Sequence, residues 1–424
     1  MNPMPYKITI SNAVLWSTCS IALLPVAPNA VNSICMMLWV ALILIYTFLP
    51  SNRKDRPQPR RRSLGMFLLF GGNFIFLALS LLYSSERQQG LAFLVQELPM
   101  LLFPFCFFLL DLPDDGKDSL LEKVLLTFWI ATLLMTGWVF FNYWRLDLLS
   151  EFSKASSFNT ILRDTAEKVT DKHPEYLSLY LVFALFIAVR QLIRTSRTMK
   201  LIYGLSIVLF LFLLLLLATR GPILSLLVAA VTVSFLRIRN KALKIIVPIS
   251  LTAALLLLIR FTPAIYSRVL ETKNTAFVPP VGLQFNSTNI RAGIYQCSFE
   301  LIRQHPILGV GAGSDRPMLM ACYAQFPTEA YQKSYYNTHN QYVNFWLLTG
   351  AFSLLLFLGS LVYAIGCNVR TKNYVMIFFC IVMCLSFLSE NVLSRQAGVV
   401  FYYFFICLMV RHARIAAGSR RADG

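Results

Sequence analysis

Long apolar runs return along the whole of this chain, at 12–28, 31–50, 64–83, 91–110, 120–142, 175–193, 201–218, 221–236, 244–259, 340–366, 374–388 and 396–410. A hydrocarbon core of about 30 Å calls for segments of this kind, and the spacing predicts about twelve transmembrane helices. Prolines at 25, 99, 104 and 248 blur several of the ends. The composition agrees, with 57% hydrophobic and 14% charged residues against roughly 25% charged in an ordinary soluble domain. The first run has no small-residue cleavage site and is followed at once by another, so it reads as a span and not as a removed signal peptide. The expected fold is all-α: a polytopic helical membrane protein, residues 1–424 forming a single integral membrane domain.

A net charge of +18 raises the question of nucleic acid, and the placement of the charges answers it. With the N-terminus in the cytoplasm and the spans alternating, RKDRPQPRRR (53–62), RQLIRTSRTMK (190–200), RIRNKALK (237–244), RTK (370–372) and the tail RHARIAAGSRR all fall inside. That is the positive-inside bias, and a slip of one span would destroy it. The basic runs therefore report topology and contact with membrane lipids, and no nucleic-acid partner is expected. Two long segments then face outward: 143–174, and a large loop at 260–339 between spans 9 and 10. Short outward turns are PNAVN (28–32), SSERQQG (84–90), TRGP (219–222) and SENVLSR (389–395).

Topology gathers the chemistry-bearing residues on that outer side. Arg220 follows a run of five leucines, 213–217, and stands beside Gly221 and Pro222. It reads either as a snorkelling arginine at a helix end or as an anion clamp, whose guanidinium fork matches phosphate oxygens. Arg291 lies in NSTNIRAGIY, where the Ser287, Thr288 and Asn289 cluster is expected to cap a helix over about 290–304. A cation in that first turn opposes the helix dipole but would join its amides in binding phosphate. The glycine run GVGAGSD (309–315) lacks the lysine of a phosphate-binding loop and reads as a tight turn. His339, one of four histidines, stands where a polar stretch becomes apolar, with Asn340 and Asn344 spaced by one helical turn. It is either an interfacial side chain hydrogen-bonded to backbone or a general base. His173, Tyr176, Glu390 and Arg395 reach the same side. The histidines show no metal-ligand spacing and the cysteines no paired motif, so no metal and no cofactor are expected. Of nine cysteines only Cys297 and Cys322 fall in the large outer loop; their spacing leaves a disulfide open.

TRG at 219–221, NIRAGIY at 289–295, HPILGVGAG at 305–313 and THNQYVNFWLLTGAFSLLL at 338–356 together resemble the bacterial O-antigen ligase and polymerase superfamily. HPEYLSLYL (173–181) and SENVLSRQAGVVFYYFF (389–405) resemble a subgroup described as O-antigen ligase family proteins. The resemblance implies an inverting, metal-independent glycosyltransferase at the periplasmic face of the bacterial inner membrane, with both termini cytoplasmic. It implies an undecaprenyl-pyrophosphate-linked glycan as donor and lipid A–core, or another glycan, as acceptor. Arg220 and Arg291 would hold the pyrophosphate and His339 would be the base. Asn340, Asn344, His173, Tyr176, Glu390 and Arg395 are possible substrate contacts. A polymerase of the same superfamily shares these features. A lipid-linked sugar transporter would show internal repeats and mid-membrane charges, and neither is evident.

Overall fold

Inside hydrocarbon a backbone must satisfy its own hydrogen bonds, and apolar runs of this length do so as helices. The computed structural model describes residues 5–49, 63–113, 119–148, 158–261, 266, 270, 271, 273–283, 285–332 and 335–422. The basic cluster at 53–62 and parts of the 111–119, 143–174 and 260–339 segments lie outside the described residues. The helices are α1 (Pro5–Ile21), α2 (Asn29–Phe48), α3 (Leu64–Ser80), α4 (Arg87–Gln96), α5 (Pro99–Leu109), α6 (Ser119–Arg145), α7 (Phe158–Thr170) and α8 (Pro174–Leu192). They continue with α9 (Arg197–Leu217), α10 (Arg220–Arg237), α11 (Lys241–Phe261), α12 (Ser287–Gln304), α13 (Asp315–Tyr323), α14 (Gln341–Thr371), α15 (Tyr374–Ser386) and α16 (Gln396–Ala422). Among the described residues the only strand-like feature is an isolated bridge between Gly282 and Thr328. The chain is an all-α polytopic membrane protein.

Each predicted run coincides with a helix, but not every helix is long enough to cross alone. Among the described residues, seven pass on both length and apolarity: α2, α6, α8, α9, α10, α14 and α16. The predicted span 91–110 is broken into α4 and α5, bent by 44°, and this pair would make an eighth. α3 and α15 are apolar but shorter, and the expected count of about twelve is not confirmed among the described residues. The first run also shifts: its helix covers Pro5–Ile21, and residues 22–26 turn before Pro28. Within the loop predicted at 143–174, α7 forms an amphipathic helix that hydropathy alone passes over.

The lipid-facing and core-facing sides of a span separate along its length. On α9, Leu201, Leu205, Val208 and Phe212 are exposed, whereas Tyr203, Ser206, Phe210, Leu213 and Leu217 are buried. At the centre, α6, α8, α15 and α16 meet through Phe128, Phe183, Phe379, Phe401 and Phe405, with ring centroids 5.0–5.6 Å apart across helices. Such aromatic pairs are worth about 0.5–1.5 kcal/mol each, and shape matching is what joins helices once both are in lipid. Between α3 and α14, Ser353 donates a buried hydrogen bond of 3.0 Å to Asn73, and Gly72 lets the side chain of Leu356 approach.

Over one end of the bundle lies a cap containing α12 and α13, joined by a disulfide from Cys297 to Cys322 with Cα atoms 5.8 Å apart. Asn286, one residue ahead of the expected cluster, caps α12: its side chain accepts from Thr288 and Asn289, and the Asn289 side chain reaches back to the Asn286 amide. That reciprocal pairing is a capping box with amides at both positions. The 305–313 segment then docks on α14, which is interrupted at Gly350 (φ 79°, ψ −177°). The break releases the carbonyls of Leu347 and Leu348, which accept from Val310 at 2.8 Å and Gly311 at 3.0 Å. The amide of Ala351 donates in turn to Pro306. A span expected to be continuous is therefore a broken helix whose freed polar groups hold the cap.

Candidate functional site

The seam between cap and bundle is made by two short segments lying side by side. One runs from Thr338 to Gln341 and enters α14; the other, 387–395, links α15 to α16. Asn391 ties them, its side-chain oxygen accepting from the Asn340 amide at 2.7 Å and the Thr338 hydroxyl at 2.9 Å. The Gln341 amide donates to the Phe387 carbonyl, and the Gln341 side chain accepts from the Leu393 amide. Asn340 is the N-cap of α14: its oxygen accepts from Tyr342 and Val343, and its amide donates to the Leu388 carbonyl. Asn344 is buried one turn further on.

This lacing holds His339 in a left-handed conformation (φ 44°), which costs a non-glycine residue about 1–2 kcal/mol. The Asn337 side chain accepts its amide hydrogen. So presented, the His339 Nδ1 lies 2.9 Å from Glu390 Oε2, while Glu390 Oε1 accepts from the Arg291 guanidinium at 3.0 Å. One carboxylate thus bridges the arginine of the cap and the histidine of the seam. Burial pushes the Glu390 carboxyl up, but the His339 hydrogen bond and the charges of His339, Arg291 and His173 outweigh it and leave the group below its ordinary range. An ionised carboxylate only accepts, so Nδ1 donates to it, and in the neutral imidazole this tautomer leaves the lone pair on Nε2.

Arg220 enters from the bundle. Ala218 in a left-handed conformation ends α9, and Arg220 is the first residue of α10. The Thr219 hydroxyl between them donates to Ser178 of α8. The Arg220 guanidinium lies 3.3 Å from Glu271, whose other oxygen is 3.3 Å from the Ser287 amide at the start of α12. A carboxylate therefore already occupies the place that sequence reasoning marks for an anion, between an arginine and a helix N-terminus. α12 links the two arginines, with Ser287 at Glu271 and Arg291 one turn later at Glu390.

Glu175, absent from the sequence-level candidates, belongs here as well. A Cβ on Gly221 would come within 2.6 Å of the Ser389 hydroxyl and 3.2 Å of Glu175 Oε1. That carboxylate oxygen is buried with no hydrogen-bond partner among the described residues. Its only sequence signal was its place within the HPEYL stretch. Asn391 likewise has only its place within SENVLSR, and Glu271 has none, since each works through partners 16 to 53 residues away.

His173, Tyr176 and Arg395 lie on the other flank of the 387–395 segment. The Tyr176 hydroxyl donates to the Val392 carbonyl at 3.2 Å, and His173 caps α8 by accepting from the Glu175 amide. Arg395 faces Glu167 across 3.9 Å. Burial, foremost, holds the His173 imidazole below its ordinary range, with opposing contributions from Glu167 and Arg395. Among the described residues no group of three or more His, Cys, Asp or Glu side chains is placed to hold a metal ion.

No curated protein matches the chain. Residues 205–358 match the family model described as O-antigen ligase, a stretch that contains Arg220, Glu271, Arg291 and His339. That family implies a membrane enzyme of glycosyltransferase type, with lipid-linked glycans in general as substrates. Over residues 205–358 the chain is thus similar to the O-antigen ligase family.

Proposed function

We propose that the protein transfers a glycan from undecaprenyl pyrophosphate to a hydroxyl of lipid A–core, with inversion and without a metal, at the periplasmic face of the inner membrane. The observation that carries this reading is the Glu390 bridge, which sets a base and a phosphate-binding cation on one carboxylate. Nε2 of His339 takes the proton of the acceptor hydroxyl as its oxygen bonds to the anomeric carbon. The bond from that carbon to the diphosphate breaks, and the electron pair leaves with the diphosphate. Negative charge develops there, and Arg291 and Arg220 stabilise it through guanidinium forks that match phosphate oxygens. Glu390 stabilises the imidazolium and fixes its tautomer, as a buried carboxylate does for other catalytic histidines.

Glu271 supports the donor side of the reading, because its carboxylate shows the chemistry that the Arg220 and Ser287 pair accepts. The pyrophosphate takes the place of this carboxylate on binding. The outward orientation rests on the positive-inside bias and on the Cys297–Cys322 bridge, since disulfides persist in oxidising compartments. Asn340 and Asn344 line the entry to α14 near the acceptor.

The test is a glycan ladder in a strain lacking the gene. Loss of attached chains, with polymer still built on the lipid carrier, is the expected result. Loss of the polymer itself would make the protein a polymerase. In the purified protein, Arg220→Ala and Arg291→Ala should weaken donor binding, and Arg220→Lys should do nearly as much harm as alanine because it loses the fork.

A further inference from the structure

Next to the transfer site, between the ends of α2, α7, α8 and α16, lies a cleft of about 170 Å³ lined by Asn29, Glu167, Lys172, His173, Tyr176 and Arg395 among others. We propose that this cleft is a sugar subsite that seats one uncharged pyranose ring of a glycan substrate. The inference rests on the glycosyl-transfer reading for its place in the reaction.

Size limits the occupant first. Clefts for drug-sized ligands run to about 300–1,000 Å³, whereas this one has room for only about six waters. A single six-membered ring with its hydroxyls fits; an extended chain does not.

The lining chemistry limits it further. Glu167 and Asp171 supply carboxylates, and Lys172 and Arg395 supply cations, so the formal charges cancel. Lys172 is buried, donates to the Ala27 carbonyl at 2.8 Å, and is pushed down to about 8 by that burial. A phosphate group would call for uncompensated cations. A sugar hydroxyl both donates and accepts, and a wall that alternates donors with acceptors suits it. Hydrogen-bonding capacity is also left over. The Asn29 side-chain oxygen is buried without a partner among the described residues. Arg395 and Glu167 attract each other across 3.9 Å, beyond hydrogen-bonding distance.

Position connects the cleft to the chemistry. The segment that carries Glu390 to His339 carries Arg395 into the cleft five residues later, at most about 18 Å along the chain. Tyr176, on the cleft wall, donates to Val392 in the middle of that segment. A glycan of a few residues spans the distance, so its reacting end reaches His339 while another ring is held here.

The experiment uses the full-length protein in proteoliposomes and the double variant Glu167→Gln with Arg395→Gln. Arg395 is exposed and Glu167 half-buried at the surface, so the variant should fold. Losing charge-assisted hydrogen bonds should raise the KM for one glycan substrate about tenfold while kcat stays within about twofold. A rise confined to the acceptor assigns the ring to the acceptor, and one confined to the donor assigns it to the donor glycan. Unchanged KM values for both, or a fall in kcat alone, would overturn the subsite. Saturation-transfer NMR with the free oligosaccharides, released from each substrate by mild acid, gives a readout independent of turnover. Ring-proton signals should appear with the wild type and be lost in the double variant; equal signals would also overturn the proposal. Absence of wild-type turnover with that NMR difference intact would count against the transfer reading and leave the subsite standing.

Discussion

At the centre of the bundle, Phe183, Phe379, Phe401 and Phe405 touch without a hydrogen bond between them, whereas in the cap nearly every contact named above is polar or covalent. The cap holds itself with the Asn286 box, the Cys297–Cys322 bridge and the Tyr331 hydroxyl on the Ile290 carbonyl. In lipid, helices are specified by shape, and many substitutions of similar size would serve. In the cap the contacts named are directional, and the site depends on both regions being in register. Arg291 belongs to the cap, Glu390 to the turn between two spans, and His339 to the strip that joins them.

The strongest way to break this arrangement is at Gly350, where the bundle yields its own hydrogen bonds to the cap. A Cβ there would run into the Ile307 carbonyl in a left-handed backbone. Gly350→Ala should destabilise the protein by about 3 kcal/mol or more, read as lost thermal stability in detergent. Gly366, in the same helix, meets open space. Gly366→Ala should leave stability unchanged or raise it by up to about 1 kcal/mol. Equal effects at the two positions would dissolve the distinction between seam and bundle.

The disulfide sharpens the same comparison. Cys297→Ser with Cys322→Ser should cost about 2–4 kcal/mol, concentrated in the cap. Hydrogen exchange should quicken over α12 and α13 and stay unchanged in α8 and α16; a uniform change would mean that cap and bundle unfold as one. The smallest effect belongs to Glu271. Its contact with Arg220 is partly exposed, and such pairs contribute up to about 1 kcal/mol. Glu271→Gln should lower the donor KM by up to about fivefold, because a competing carboxylate loses its charge. A higher donor KM would instead make Glu271 a part of the donor site.

The two regions also differ in how much of them the sequence discloses. Hydropathy located every helix of the bundle, because lipid burial leaves a long apolar record. It missed the breaks at α4–α5 and at Gly350, where a few residues change direction while the run stays apolar. α7 escapes hydropathy for a related reason: its apolar residues Ile161, Leu162, Ala166 and Val169 form one face of an otherwise polar helix and make no continuous run. In the site, Arg220, Arg291 and His339 stand out because charge and histidine are scarce in such a chain. Glu390 reads in the sequence only as a possible substrate contact, and the structure gives it hydrogen bonds to both Arg291 and His339. No local pattern discloses a pairing between residues 339 and 390, nor the oxyanion that Glu271 brings to the start of α12.

The most direct test of the account is the turnover and the donor binding of His339→Gln, measured together in proteoliposomes with a glycan on a polyprenyl pyrophosphate carrier. Glutamine can hold the acceptor hydroxyl but cannot take its proton, and a general base contributes typically about 10²–10⁴-fold. The account predicts a loss of turnover of that size with donor affinity retained. Near-normal turnover would contradict it, leaving His339 to position the acceptor and the Glu390 bridge to hold the seam.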